Sequence, residues 1–158
     1  MTDPSAIDSL LAEARSNLDR VLVEDLADEV AHGAIIIDIR PVEQRQRDGE
    51  LSGAIVVDRN VLEWRLDPSS PHRLTIATGD DVRLIIVCNE GYSSSLAAAT
   101  LHELGLRSAT DLVGGFQAWR TGQRLDDLSI TVPNAVQRVE NVLVAPLRHG
   151  ERGSTGRA

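Results

Sequence analysis

A single cysteine, Cys88, stands among 158 residues, and aromatic residues make up only 3% of the chain. One cysteine excludes any internal disulfide, and a reducing cytoplasmic setting is the simplest expectation. No apolar run reaches the ~20 residues that a membrane-spanning helix requires. The opening stretch, MTDPSAIDSLLAEARSNLDR, lacks the basic start and long apolar core of a secretory leader. Basic residues are outnumbered, 16 against 24 acidic ones, for a formal charge of −8. That balance speaks against nucleic-acid backbone or an anionic membrane as partner, but it leaves open a small anionic ligand held by local donors. The four histidines, His32, His72, His102 and His149, are scattered without metal-ligand spacing, so no metal is expected.

What is present is an ordinary apolar fraction of 42% and enough length for one domain with tails. Residues 4–22 read as an amphipathic helix opened by Pro4 and Ser5, with Ile7, Leu10, Leu11, Ala14, Leu18, Val21 and Leu22 at helical spacing. Such a helix either packs on the domain or pairs with a copy of itself in a homodimer. A second short helix is expected over 24–32, ended by Gly33. Buried strands follow at 34–39, 54–57, 84–87 and 109–113, separated by helical or turn segments at 43–48, 61–66, 93–104 and 116–122. The loop 67–81 is expected to hold one helical turn. Strands alternating with helices imply parallel crossovers and an α/β sheet covered on both faces. In such sheets, ligands bind beyond the carboxyl ends of the strands. By that rule Asp38 and Arg40, Asp58 and Arg59, Cys88 and its loop, and Gly114-Gly115 gather at one edge.

Residues 84–95, LIIVCNEGYSSS, hold the chemistry. A branched apolar run ends in Cys88, a turn follows through Asn89, Glu90, Gly91 and Tyr92, and a serine-led helix begins at Ser93. A free cysteine is often an inert small hydrophobe at such a place. The strand, glycine turn and helix N-terminus instead favour a nucleophile facing a ring of backbone N–H donors. Ser93 or Ser94 is the natural N-cap, Tyr92 is pocket lining or plain surface, and Trp64 and Trp119 are core or pocket wall.

Three motifs in order resemble the rhodanese-like domain of the single-domain sulfurtransferase type, over about residues 22–122. They are Asp38-Ile39-Arg40 followed by the turn from Gly49 to Ala54, the loop Cys88-Asn89-Glu90-Gly91-Tyr92-Ser93, and Gly114-Gly115-Phe116-Gln117-Ala118-Trp119. The resemblance implies a five-stranded parallel sheet flanked by helices on both faces. The chain then divides into an N-terminal amphipathic helix (1–21), the rhodanese-like domain (22–125) and a C-terminal extension (126–158) whose polar, glycine-rich end is expected from its composition to be disordered. It also implies that Cys88 takes a sulfane sulfur from thiosulfate or a persulfide donor and passes it to a thiol or cyanide-like acceptor, with no cofactor. Asn89, Glu90, Gly91, Tyr92 and Ser93 would line the donor site, their N–H groups curled round the sulfur, with Arg40 and Arg59 as the nearest cations. Asp38 and Arg40 are read first as a fold-stabilising pair.

Two departures stand out. Glu90 occupies a loop where many family members carry Arg or Lys, and Glu50 replaces the usual histidine of the Gly49–Ala54 turn. A cysteine phosphatase would need a longer loop ending in arginine, and no arginine follows Cys88 before Arg107. A redox cysteine would lack a resolving partner. The alternative from another class is a non-catalytic rhodanese-like module that binds a partner or senses sulfur species.

Overall fold

A computed structural model describes residues 2–126. The expected C-terminal extension lies, from residue 127 on, outside the described residues. In chain order the elements are α1 (Ala6–Ser16), a 3-10 turn (Val23–Asp25), α2 (Leu26–Ala31), β1 (Ile35–Asp38), α3 (Val42–Asp48) and β2 (Ile55–Val56). A second 3-10 turn (Arg59–Val61), α4 (Leu62–Leu66), β3 (Leu84–Val87), α5 (Ser93–Glu103), β4 (Thr110–Asp111) and α6 (Gly115–Asp126) complete it.

The strands form one parallel sheet in the order β2-β1-β3-β4, with Ile37 opposite both Ile55 and Ile86. Alternation along the pleat divides the apolar side chains between two faces. Leu84 and Ile86 of β3, with Cys88 just beyond it, join Ile37, Leu62, Leu66, Ala97 and Leu101 in one cluster. Ile85 and Val87 join Leu26, Ile36, Leu112 and Phe116 in the other. Being covered on both sides is why β3 is apolar at every position. It is also why Cys88, continuing the even-numbered side, turns toward α5.

Four strands are present among the described residues, not the five expected. In place of a fifth, the single residue Val21 bridges in parallel to Leu112. Its N–H donates to the Asp111 carbonyl at 2.9 Å, and its carbonyl accepts from Val113 N–H at 2.9 Å. This bridge also explains why the first helix does not run over 4–22. The helix is capped at Ser5, whose hydroxyl accepts from Asp8 N–H, and it ends at Asn17. Beyond that, sheet bonds at Val21 outcompete the weak helical preference of a β-branched residue. The helix α1 buries Leu11 and Ala14 and packs against α5.

Smaller differences have similar causes. The strands at 34–39, 54–57 and 109–113 are shorter than their apolar runs, and loop 67–81 holds turns rather than a helical turn. Trp64, expected in the core or a pocket wall, is 59% exposed, because α4 buries Leu62 and Leu66 on its opposite side. Trp119 instead packs on Phe116 with ring centroids 5.5 Å apart.

Candidate active site

The carboxyl end of β3 delivers Cys88 into a loop that closes back on it. Cys88 is 6% exposed, and its sulfur accepts backbone N–H bonds from Gly91 at 3.1 Å and Ser94 at 3.4 Å. The Ser94 hydroxyl lies 3.2 Å away. The donors differ from the expected ring of residues 89–93: Gly91 and Ser94 are the two whose N–H groups reach the sulfur. The N-cap also differs. It is Tyr92, with no side-chain cap bond, and the Cys88 sulfur itself takes the N–H of Ser94 that a capping hydroxyl would have taken. Burial pushes the Cys88 thiol up, while the Ser94 and Ser93 hydroxyls and the N–H groups of Ser94 and Gly91 pull it down. The balance lies below the ordinary thiol range, as a stabilised thiolate requires.

The double glycine at the start of α6 makes room for this loop. Gly115 has φ +60°, and a Cβ there would stand 2.5 Å from the Cys88 carbonyl and 2.8 Å from Glu90 N. At Gly91, with φ +82°, a Cβ would stand 2.7 Å from Gly114 N. The first N–H groups of α6 then fasten the loop: Phe116 donates to the Cys88 carbonyl at 2.9 Å and Gln117 to the Asn89 carbonyl at 3.0 Å. The Gln117 amide also donates to the Asn89 side chain at 2.9 Å.

Above the sulfur lies a pocket of about 400 Å³, lined by Ile39, Arg40, Pro41, Gln44, Cys88, Asn89, Glu90, Tyr92 and Ser93. Of the residues anticipated for the site, Cys88, Asn89, Glu90, Tyr92, Ser93 and Arg40 meet here, and Gly91 forms the floor by its bond to the sulfur. Arg59 does not. It is engaged with Glu63 one helical turn on, at 2.7 Å, and lines no part of the pocket. Arg40 reaches the wall, yet its fork is closed on Asp38, with Nη2 2.8 Å from Oδ2 and Nε 3.1 Å from Oδ1. Its guanidinium stacks on the Phe116 ring at 3.6 Å, and Nη2 also donates to the Gly49 carbonyl. Glu90 is exposed at the mouth and has no ion pair among the described residues. Tyr92 is both lining and surface, 59% exposed.

Four residues that sequence reasoning passed over complete the surroundings. Buried Asp111 accepts hydroxyl bonds from Ser94 at 2.8 Å and Ser95 at 2.7 Å, and Arg20 forks onto it at 2.8 and 3.1 Å. Arg15 and Arg20 both donate to the Gly91 carbonyl, at 2.7 and 3.0 Å. Gln44 lines the pocket beside Arg40. The one available signal was Asp111, a carboxylate inside a short strand otherwise read as buried.

The family model for the rhodanese-like domain matches residues 22–121. The chain belongs to the rhodanese-like family. It is 31% identical over 105 residues to the thiosulfate sulfurtransferase GlpE of Ectopseudomonas mendocina, covering 66% of this chain and 87% of that protein. It is 33% identical over 85 residues to the maize adenylyltransferase and sulfurtransferase MOCS3-1. That match covers 54% of this chain but spans only 18% of the maize protein. A solved structure from Rhodopseudomonas palustris, of a protein of unknown function described as a possible tyrosine phosphatase, superposes with a TM-score of 0.67 at 32% identity. It covers 77% of this rhodanese-like chain and 94% of its own.

Proposed function

We propose that this rhodanese-like protein is a sulfurtransferase working through a Cys88 persulfide. The observation that carries the reading is the sulfur cradle: Cys88 accepts from Gly91 N–H and Ser94 N–H, its sulfur lies 3.2 Å from the Ser94 hydroxyl oxygen, and it opens onto a pocket of about 400 Å³. In the first half-reaction the thiolate attacks the outer sulfur of the donor. A bond forms between Cys88 and that sulfur, the donor's own sulfur–sulfur bond breaks, and the leaving group departs with the electron pair, as sulfite when the donor is thiosulfate. In the second, a cyanide or thiolate acceptor attacks the outer sulfur of the persulfide and returns Cys88 as thiolate. The cradle's donors stabilise the anionic sulfur before and after each transfer. The chain holds one cysteine, so a thiol acceptor comes from outside. The mouth residues Asn89, Glu90, Tyr92, Ser93 and Arg40 would contact the donor. We place the activity in the cytoplasm, consistent with the unpaired cysteine; no helix among the described residues is long and apolar enough to cross a membrane.

A phosphatase reading, prompted by the Rhodopseudomonas protein, meets a loop from Cys88 to Ser94 that contains no arginine to hold phosphate. The non-catalytic alternative draws on Glu90, whose charge opposes an anionic donor. One experiment decides. The protein is incubated with thiosulfate or a small alkyl persulfide, then with cyanide, while thiocyanate release and intact mass are followed. The wild type is expected to gain one sulfur atom and Cys88→Ser none. If no donor loads the wild type, the sulfurtransferase reading is withdrawn.

A further inference from the structure

We propose that Arg20, which precedes the family-matched region, sets the ionisation of Cys88 through Asp111 and Ser94, and so serves as a positioning residue for the sulfur chemistry. Its functional meaning rests on the persulfide reading above. The argument turns on one proton. A serine hydroxyl has a single hydrogen to donate. While Cys88 is a thiol, its S–H points to Ser94 Oγ at 3.2 Å and Ser94 donates onward to Asp111 Oδ2 at 2.8 Å. When Cys88 ionises, the best use of the Ser94 hydrogen is to turn toward the sulfur. Asp111 therefore competes with the thiolate for that hydrogen and also places a second negative charge two hydrogen bonds away.

Arg20 weakens this competition. Its Nε and Nη2 reach Asp111 Oδ1 and Oδ2 at 2.8 and 3.1 Å, and Ser95 supplies a hydroxyl to Oδ2 at 2.7 Å. Asp111 has no exposed surface, so without the guanidinium its charge would be screened by little water. Arg20 holds its position by a third bond, to the Gly91 carbonyl, which ties it to the loop it regulates. Among the described residues, no other charged group facing the cradle bonds Asp111 directly; Arg15 reaches it only through the Ser95 hydroxyl. Arg15 donates to the Gly91 carbonyl and Ser95 and lies 5.4 Å over the Tyr92 ring. From β1, Arg40 and Asp38 are closed on each other, and Glu90 and Tyr92 face solvent at the mouth. Asp48 approaches only through Gln117 and Asn89, and is paired with Arg47. Among the described residues, Asp111 alone is a carboxylate bonded to Ser94.

The test is the pH profile of Cys88 alkylation by iodoacetamide, a neutral probe, in the full chain. Arg20→Gln is expected to raise the midpoint by about one pH unit, because Asp111 is left uncompensated. Asp111→Asn is expected to lower it by a similar amount, and the double variant to return near wild type. General loosening of the loop would slow alkylation at every pH without moving two midpoints in opposite directions. Shifts of the same sign, or none, would overturn the proposal. Should Arg20→Gln not fold, Asp111→Asn decides alone: a midpoint that stays or rises overturns it. Alkylation needs no sulfur donor. Opposite shifts in a protein that loads no sulfur would therefore sink the persulfide reading and leave the Arg20 relay standing.

Discussion

Two arginine–aspartate pairs flank the strand that carries Cys88, and they differ in almost everything except chemistry. Arg40 and Asp38 lie two residues apart at the end of β1, with both side chains fully enclosed. Arg20 and Asp111 lie 91 residues apart, the arginine side chain 18% exposed and the aspartate enclosed. The chain has no lysine, so each pair uses a guanidinium fork suited to gripping a carboxylate with two bonds. The first pair stitches the end of β1 to the Gly49 turn and lies against Phe116. The second reaches the sulfur through Ser94. Equal chemistry in a neighbouring setting thus gives a lock in one case and a tuning element in the other. What separates them is whether the carboxylate has a hydroxyl between itself and the cysteine.

The largest expected effect breaks the lock. Asp38→Ala leaves the enclosed Arg40 cation facing only the Gly49 carbonyl and an aromatic ring, a loss of about 3–5 kcal/mol for a buried pair deprived of one partner. Urea unfolding followed by tryptophan fluorescence measures it. A loss under about 1 kcal/mol would show that Arg40 is served well enough by Phe116 and Gly49, and the contrast between the pairs would lose its first half. A smaller effect is expected at Gly115, whose missing Cβ lets the loop rest against α6. Gly115→Ala carries left-handed backbone strain of about 1–2 kcal/mol and forces the Cys88 carbonyl away. Sulfur loading should fall roughly 100-fold from the displaced nucleophile. Unchanged loading would mean that the cradle does not depend on α6.

The same contrast marks what could be read from residues alone. The Asp38-Ile39-Arg40 pair was legible because its partners are neighbours at a strand end, and the Cys88 loop because strand, turn and helix follow within a dozen residues. Strands alternating with helical segments likewise implied the parallel sheet, whereas the face on which Cys88 lies became visible only with the pleat of β3. Arg20 and Asp111 were not legible. Their meeting depends on α1 ending at Ser16 and on Val21 entering the sheet beside β4, outcomes of tertiary bonding that override a helical pattern. Ser94 was anticipated only as a helix cap; its buried bonds to Cys88 and Asp111 depend on Asp111, a residue 17 positions along the chain.

The smallest effect concerns what both pairs leave behind. With Arg40 closed on Asp38 and Arg20 on Asp111, and with Arg59 held by Glu63, Glu90 at the pocket mouth makes no ion pair among the described residues. A thiosulfate dianion approaching Cys88 must therefore come toward a negative charge. Glu90→Arg changes the sign of that charge at an exposed position. Screened by water and salt over several ångströms, the exchange is worth roughly 1 kcal/mol to a dianion, about a fivefold rise in kcat/KM with thiosulfate. The gain should shrink as ionic strength rises, and it should be smaller with a small alkyl persulfide, which is a monoanion at neutral pH and feels about half the interaction. Steady-state rates with the two donors at low and high salt separate these cases. A fall with thiosulfate would assign Glu90 a direct part in the reaction, and an equal rise with both donors would trace the effect to the loop rather than to charge.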